Sequence, residues 1–180
     1  MIHSTYDRIV SRMTARSAFW YRRFRAAAYV SAAGLTVLTL LIVLPFHPFS
    51  YLPPIIEGGG PGTWFLLGYI LYAAVGFGGF AGLSALMFAV ETYEGRRAND
   101  TVMAAGFILL FAGVTVTSIL LLLAGALGGY AINIEGNTTQ FAQGILSPYV
   151  DPITLSSLVS VIAAGLLVFG MTSSKMPTIE

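Results

Sequence analysis

The chain has 180 residues, 56% of them hydrophobic and 9% charged, with a formal net charge of +1. Soluble domains carry about 25% charged residues, and a short chain with so little charge exposes apolar patches that water does not tolerate, so the composition belongs to a membrane protein. Cysteine is absent and the two histidines, His3 and His47, lie outside the long apolar runs, which excludes disulfides, thiolate sites, a bis-histidine haem and a His-rich copper or zinc centre.

Residues 1–25 form a unit of their own. Ser4 and Asp7 match a capping box, with a carboxylate three residues after a hydroxyl cap. Tyr6, Ile9, Met13, Trp20 and Phe24 then recur at helical spacing. Arg8, Arg12 and Arg16 make an i, i+4 stripe on another face. A basic amphipathic helix beside a membrane lies in the interface with its arginines toward anionic lipid headgroups. Phe19, Trp20 and Tyr21 fit the interfacial aromatic belt.

Four apolar stretches follow, each long enough to cross a bilayer, which takes about 20 residues as helix. They cover roughly 26–46, 63–90, 102–131 and 153–171. The expected fold is therefore an all-α integral membrane protein: a four-helix transmembrane domain over 26–175 and a short tail over 176–180. The first span reads as an uncleaved signal anchor, since no small-residue cleavage site follows it. All nine basic residues fall before the first span, between the second and third (Arg96, Arg97), or after the fourth (Lys175). By the positive-inside rule both termini are cytoplasmic, in a multi-pass plasma-membrane protein.

The segment between the first two spans, "PFHPFSYLPPIIEGGGPGTWF", is apolar for a loop that faces water. Its prolines argue against a regular helix, and its glycines permit a tight return. Phe49, Ile55 and Ile56 need cover, from the headgroup region, from the outer mouth of the bundle or from a partner protein, and docking on a partner is the expectation.

The second span carries a small-residue stripe, Ala74, Gly78 and Gly82, with Ala81, Ala85 and Ala89 beside it. Small residues let helix backbones approach closely, so that van der Waals contact replaces the hydrophobic drive that lipid removes. The stripe is expected to pack within the bundle or to meet another protein. Tyr69 and Tyr72 share a face of this span, either as belt residues or as the border of a quinone pocket. Glu91 closes the span, where a salt bridge to Arg96 or Arg97 is the expectation and a proton-handling carboxylate the sharper alternative.

The third span offers Ala124, Gly125, Gly128 and Gly129 for close packing, and the fourth offers Ser156, Ser160 and Ala164. Hydroxyls at Thr115, Thr117, Ser118, Ser156, Ser157 and Ser160 can bond their own helix or a neighbour. Between these spans, Asn137 opens an N-T-T glycosylation triplet in a segment that charge places outside the cell.

Phosphate loops, nucleotide fingerprints, zinc spacings and hydrolase elbows are absent, and nothing points to nucleic acid. No catalytic residue, metal ligand or cofactor-binding residue is expected. The expected role is a non-catalytic accessory subunit of a larger membrane complex, of a respiratory or other energy-transducing kind such as a terminal oxidase, with other integral membrane subunits as partners. The alternative is a small homo-oligomeric transporter or channel, which calls for a polar path that these spans lack.

Overall fold

The structure, a computed structural model, describes residues 19–92 and 98–173. The capping box, the stripe of Arg8, Arg12 and Arg16, and the basic residues Arg96, Arg97 and Lys175 lie outside the described residues. Within them every regular element is helical. Helix α1 (Phe19–Val43) leads to a 3-10 turn (Phe49–Tyr51) and a short helix, α2 (Leu52–Glu57). The second span runs as α3 (Gly62–Leu71), a π-helical segment (Tyr72–Gly79) and α4 (Phe80–Thr92). Helices α5 (Asp100–Asn133) and α6 (Thr139–Thr172) complete the chain.

Four helices are long and apolar enough to cross a membrane: Trp20–Val43, Gly62–Thr92, Asp100–Asn133 and Thr139–Thr172. That is the architecture of a multi-pass membrane protein. Each boundary has a local cause. Asn99 caps α5, its side chain accepting from Thr101 N at 3.1 Å and Val102 N at 3.4 Å. Thr138 caps α6 by accepting from Phe141 N at 3.3 Å.

Two sequence expectations are corrected. The fourth helix begins at Thr139, not near residue 153, and runs 34 residues with Pro148 and Pro152 inside it. Each proline removes one donor and leaves the carbonyl four residues earlier unpaired. Those carbonyls belong to Gly144 and Pro148, both exposed, so the loss falls on the outer surface of the helix. At 1.5 Å per residue α5 and α6 are each about 51 Å long, well beyond a hydrocarbon layer of about 30 Å. The second correction is the proline-rich loop, which contains a helix. Pro53 and Pro54 sit in the first turn of α2, where backbone N–H groups have no intrahelical partner and the fixed φ of proline is already helical.

The helices are arranged as a row more than as a closed bundle. Helix α5 is central, packing along α6 on one side and under α3 on the other. Helix α1 lies against the π-helical segment and α4, and α6 has α5 as its one extensive neighbour among the described residues. Glycine makes the two interfaces of α5 tight. A Cβ on Gly106 would lie 2.8 Å from Leu167 on α6, and one on Gly68 would lie 2.8 Å from the Ser118 carbonyl on α5. Across the α5–α6 seam the Thr117 hydroxyl donates to Ser156 Oγ at 2.8 Å, and Ser156 donates on to the Pro152 carbonyl at 2.8 Å.

Candidate functional site

Three regions hold the residues that the sequence singles out: the arginine end of the row, its outward faces, and the opposite, loop-bearing end.

At the arginine end Trp20, Phe24, Phe80, Met87 and Met103 are buried together. Phe24 meets Phe107 edge-on at 5.3 Å and stacks near Phe80 at 6.2 Å. Aromatic geometry of this kind adds about 0.5–1.5 kcal/mol per pair beyond area burial. The Trp20 indole donates to Asp100 Oδ1 at 2.9 Å, which fastens the beginning of α1 to the cap of α5. Arg23 lies 4.9 Å above the Trp20 ring. Arg25 lies 4.9 Å above Tyr21 and donates to its hydroxyl at 2.8 Å. Glu91 reaches the same place from α4. It is 8% exposed, faces the backbone N–H groups of Trp20 and Tyr21, and leaves Oε2 without a hydrogen-bond partner among the described residues. Arg96 and Arg97, its expected ion-pair partners, lie outside the described residues. Asp100 is the nearby acid, so two carboxylates and an indole clasp α1, α4 and α5 at one end, with Arg23 and Arg25 stacked on aromatic rings of α1 beside them.

The outward faces hold the small-residue stripe. Ala74, Gly78 and Gly82 are all exposed, and a Cβ on Gly82 would meet nothing within 4 Å among the described residues. Other small residues have the opposite placement. Gly125 lies against the Phe65 backbone, Gly128 against Pro61 and Leu146, and Gly129 within 2.5 Å of Ile55, each distance taken from an ideal Cβ. Gly113 on α5 backs onto Ser160 and the Ser156 carbonyl. Ala164 is exposed. The small residues of α5 therefore hold the row together, as does Gly68 of the second span, whereas the Ala74–Gly78–Gly82 stripe does not.

At the loop end α2 folds over the row. Ile55 is 3% exposed, and its carbonyl accepts from Asn133 Nδ2 at 3.2 Å. Phe49 and Ile56 are half-buried, Phe49 edge-on to Phe46 at 6.2 Å. Of the three residues expected to dock, Ile55 is thus taken up inside the chain. His47, Tyr51 and Tyr130 form a chain of edge-to-face rings at 4.4 and 5.6 Å beside a recess of about 470 Å³. Asn137 donates to Glu135 Oε2 at 2.8 Å in the turn before α6. Its triplet ends at Thr139, the first residue of that helix.

Tyr69 and Tyr72 separate. The Tyr69 hydroxyl bonds Thr39 Oγ1 at 2.9 Å, whereas Tyr72 reaches Gly34 on α1 and lines a different cleft. Among the described residues no three His, Asp or Glu side chains gather as a metal site.

No family model, curated protein or solved structure matches this chain.

Sequence reasoning missed the π-helical segment and the Ser118 hydroxyl, which is buried without a hydrogen-bond partner among the described residues. A mid-span hydroxyl was visible as polar, but which hydroxyls would find partners was not. No periodicity signal distinguishes a π turn from an α turn over eight residues.

Proposed function

We propose that the chain is a non-catalytic accessory subunit of a larger assembly in the plasma membrane, both termini cytoplasmic, of the energy-transducing class to which terminal oxidases belong. The observation that carries this reading is the outward Ala74–Gly78–Gly82 face. Glycine within a helix is less favourable than alanine by about 1 kcal/mol, a cost usually offset by close backbone approach. Inside the row Gly68, Gly106 and Gly113 meet that description. Gly82 has no such neighbour among the described residues, so a helix of another protein is the surface that fits it. The lone seam of α6 supports the same reading, since Leu155, Val161 and Phe169 on its other faces are more than half exposed. Placement of the termini follows from the basic residues, and the energy-transducing class rests on analogy with the small cofactor-free helical subunits that surround such cores.

Native mass analysis after mild detergent extraction tests the reading. The expected result is migration within a larger complex of different chains that carries its redox groups on those chains. Recovery as a lone monomer or a small homo-oligomer favours the transporter or channel reading and overturns this one.

A further inference from the structure

At the arginine end, between the first turns of α1 and the body of α4, lies a recess of about 350 Å³. Tyr21 and Arg25 border it from α1, and Ala81, Ser84, Ala85 and Phe88 from α4. Its floor is open because two alanines stand there, Ala81 half-buried and Ala85 exposed. Both belong to the second small-residue stripe of that span. Aromatic rings form the walls, Tyr21 and Phe88 lying 5.2 Å apart. The Ser84 hydroxyl is already engaged, donating to the Tyr21 carbonyl at 3.3 Å. The mouth is cationic. Arg25 is exposed, lies 4.9 Å above the Tyr21 ring and donates to its hydroxyl at 2.8 Å, so the ring fixes the guanidinium in place. A guanidinium has five N–H donors, and the phenol keeps a proton of its own to donate. The nearby acids are engaged elsewhere: Asp100 accepts from Trp20, and Glu91 is buried against the backbone of Trp20 and Tyr21. Among the described residues no carboxylate pairs with Arg25. Arg22, also exposed, stands three residues away at a neighbouring position on the helix surface.

Depth decides what fits. Counted from the middle of the apolar runs 26–46 and 63–90 at 1.5 Å per residue, Arg25 stands about 15 Å from the centre of the layer, Phe88 about 17 Å and Ala81 about 7 Å. The hydrocarbon boundary lies about 15 Å from the centre. Two helices therefore agree that the recess opens at headgroup level and runs inward into hydrocarbon. A soluble anion would leave the apolar floor empty. An acyl chain alone would leave the guanidinium without an anion. A phospholipid of net negative charge satisfies both ends, since arginine binds phosphate through charge-assisted hydrogen bonds and basic pockets between spanning helices hold lipid headgroups. Size agrees: an apolar cavity of about 150 Å³ holds benzene, so 350 Å³ leaves room for a phosphodiester and several methylenes.

We propose that this recess binds one anionic phospholipid of the surrounding bilayer, its phosphodiester accepting from Arg25 and the Tyr21 hydroxyl and one acyl chain lying along Ala81 and Ala85. The site needs no partner subunit, so it stands or falls apart from the assembly reading.

Native mass spectrometry of the full chain in neutral detergent micelles resolves single lipid adducts and provides the test, with dioleoylphosphatidylglycerol and dioleoylphosphatidylcholine as probes. The first phosphatidylglycerol adduct is expected to form about fivefold more tightly than the phosphatidylcholine one, the worth of one arginine at the headgroups. Arg25→Gln removes that preference. Ala85→Leu fills the floor from an exposed position and weakens the phosphatidylglycerol adduct with the guanidinium intact, so it tests the site independently of Arg25→Gln. Lys175→Gln removes a charge elsewhere in the chain and leaves the adduct unchanged. Glycerophosphoglycerol, the headgroup without chains, fails to displace the lipid. An undiminished preference in Arg25→Gln, or an equal loss in Lys175→Gln, overturns the proposal and makes the attraction a property of overall charge. Displacement by glycerophosphoglycerol at matching concentration, or unaltered binding by Ala85→Leu, overturns it as well.

Discussion

At the scale of single residues, the same amino acid does opposite work in different places. Gly113 faces Ser160 and the Ser156 carbonyl, whereas Gly82 faces nothing among the described residues. Gly113→Ala should therefore cost about 1–3 kcal/mol by overpacking the α5–α6 seam. Gly82→Ala should leave the isolated chain unchanged or stabilise it by up to about 1 kcal/mol. Denaturant melts followed by circular dichroism separate the two. Thr117→Val removes the donor to Ser156, but Ser156 keeps its bond to Pro152. A loss of about 0.6 kcal/mol is expected, the average for a hydrogen bond between membrane helices. The sequence showed these small and hydroxylated residues as stripes. It could not show which stripe would meet a neighbour, because helical periodicity assigns residues to a face and says nothing of what that face touches.

Among the elements, α2 is the most informative. Its helix starts because two prolines occupy the first turn, and it stays because Ile55 inserts against Gly129 and Asn133 holds its carbonyl. Ile55→Ala should cost about 2 kcal/mol or more through the cavity it leaves. Phe49→Ser and Ile56→Ser, at half-buried positions, should each cost less than Ile55→Ala, about 1 kcal/mol in the melt of the isolated chain. The four spans were legible in the sequence because long apolar runs have no alternative reading. The first turns of α6 were not, because Asn137, Gln140, Gln143 and Asp151 dilute the apolar signal and Pro148 and Pro152 read as breakers. What decides the matter is Ala142 and Leu146, spaced one turn apart and both buried, with Leu146 meeting Gly128. That contact is tertiary, and no local rule contains it.

For the molecule as a whole, the row of helices leaves wide apolar faces, and lipid alone does not explain glycine on one of them. The chain has no cysteine, so single cysteines report position without background. The proposed orientation, both termini cytoplasmic, predicts that Gly136→Cys reacts with a membrane-impermeant maleimide on intact cells and Ser173→Cys only after permeabilisation; the reverse pattern would invert the orientation. The same property gives the most direct test of the assembly reading. Gly82→Cys, expressed in its native membrane, is oxidised or treated with a short thiol crosslinker, and the product is identified by mass spectrometry. The account predicts a crosslink to a different integral membrane chain, one that also travels with this protein in the native complex. A crosslink solely to a second copy of this chain, or no protein crosslink at all, would contradict it.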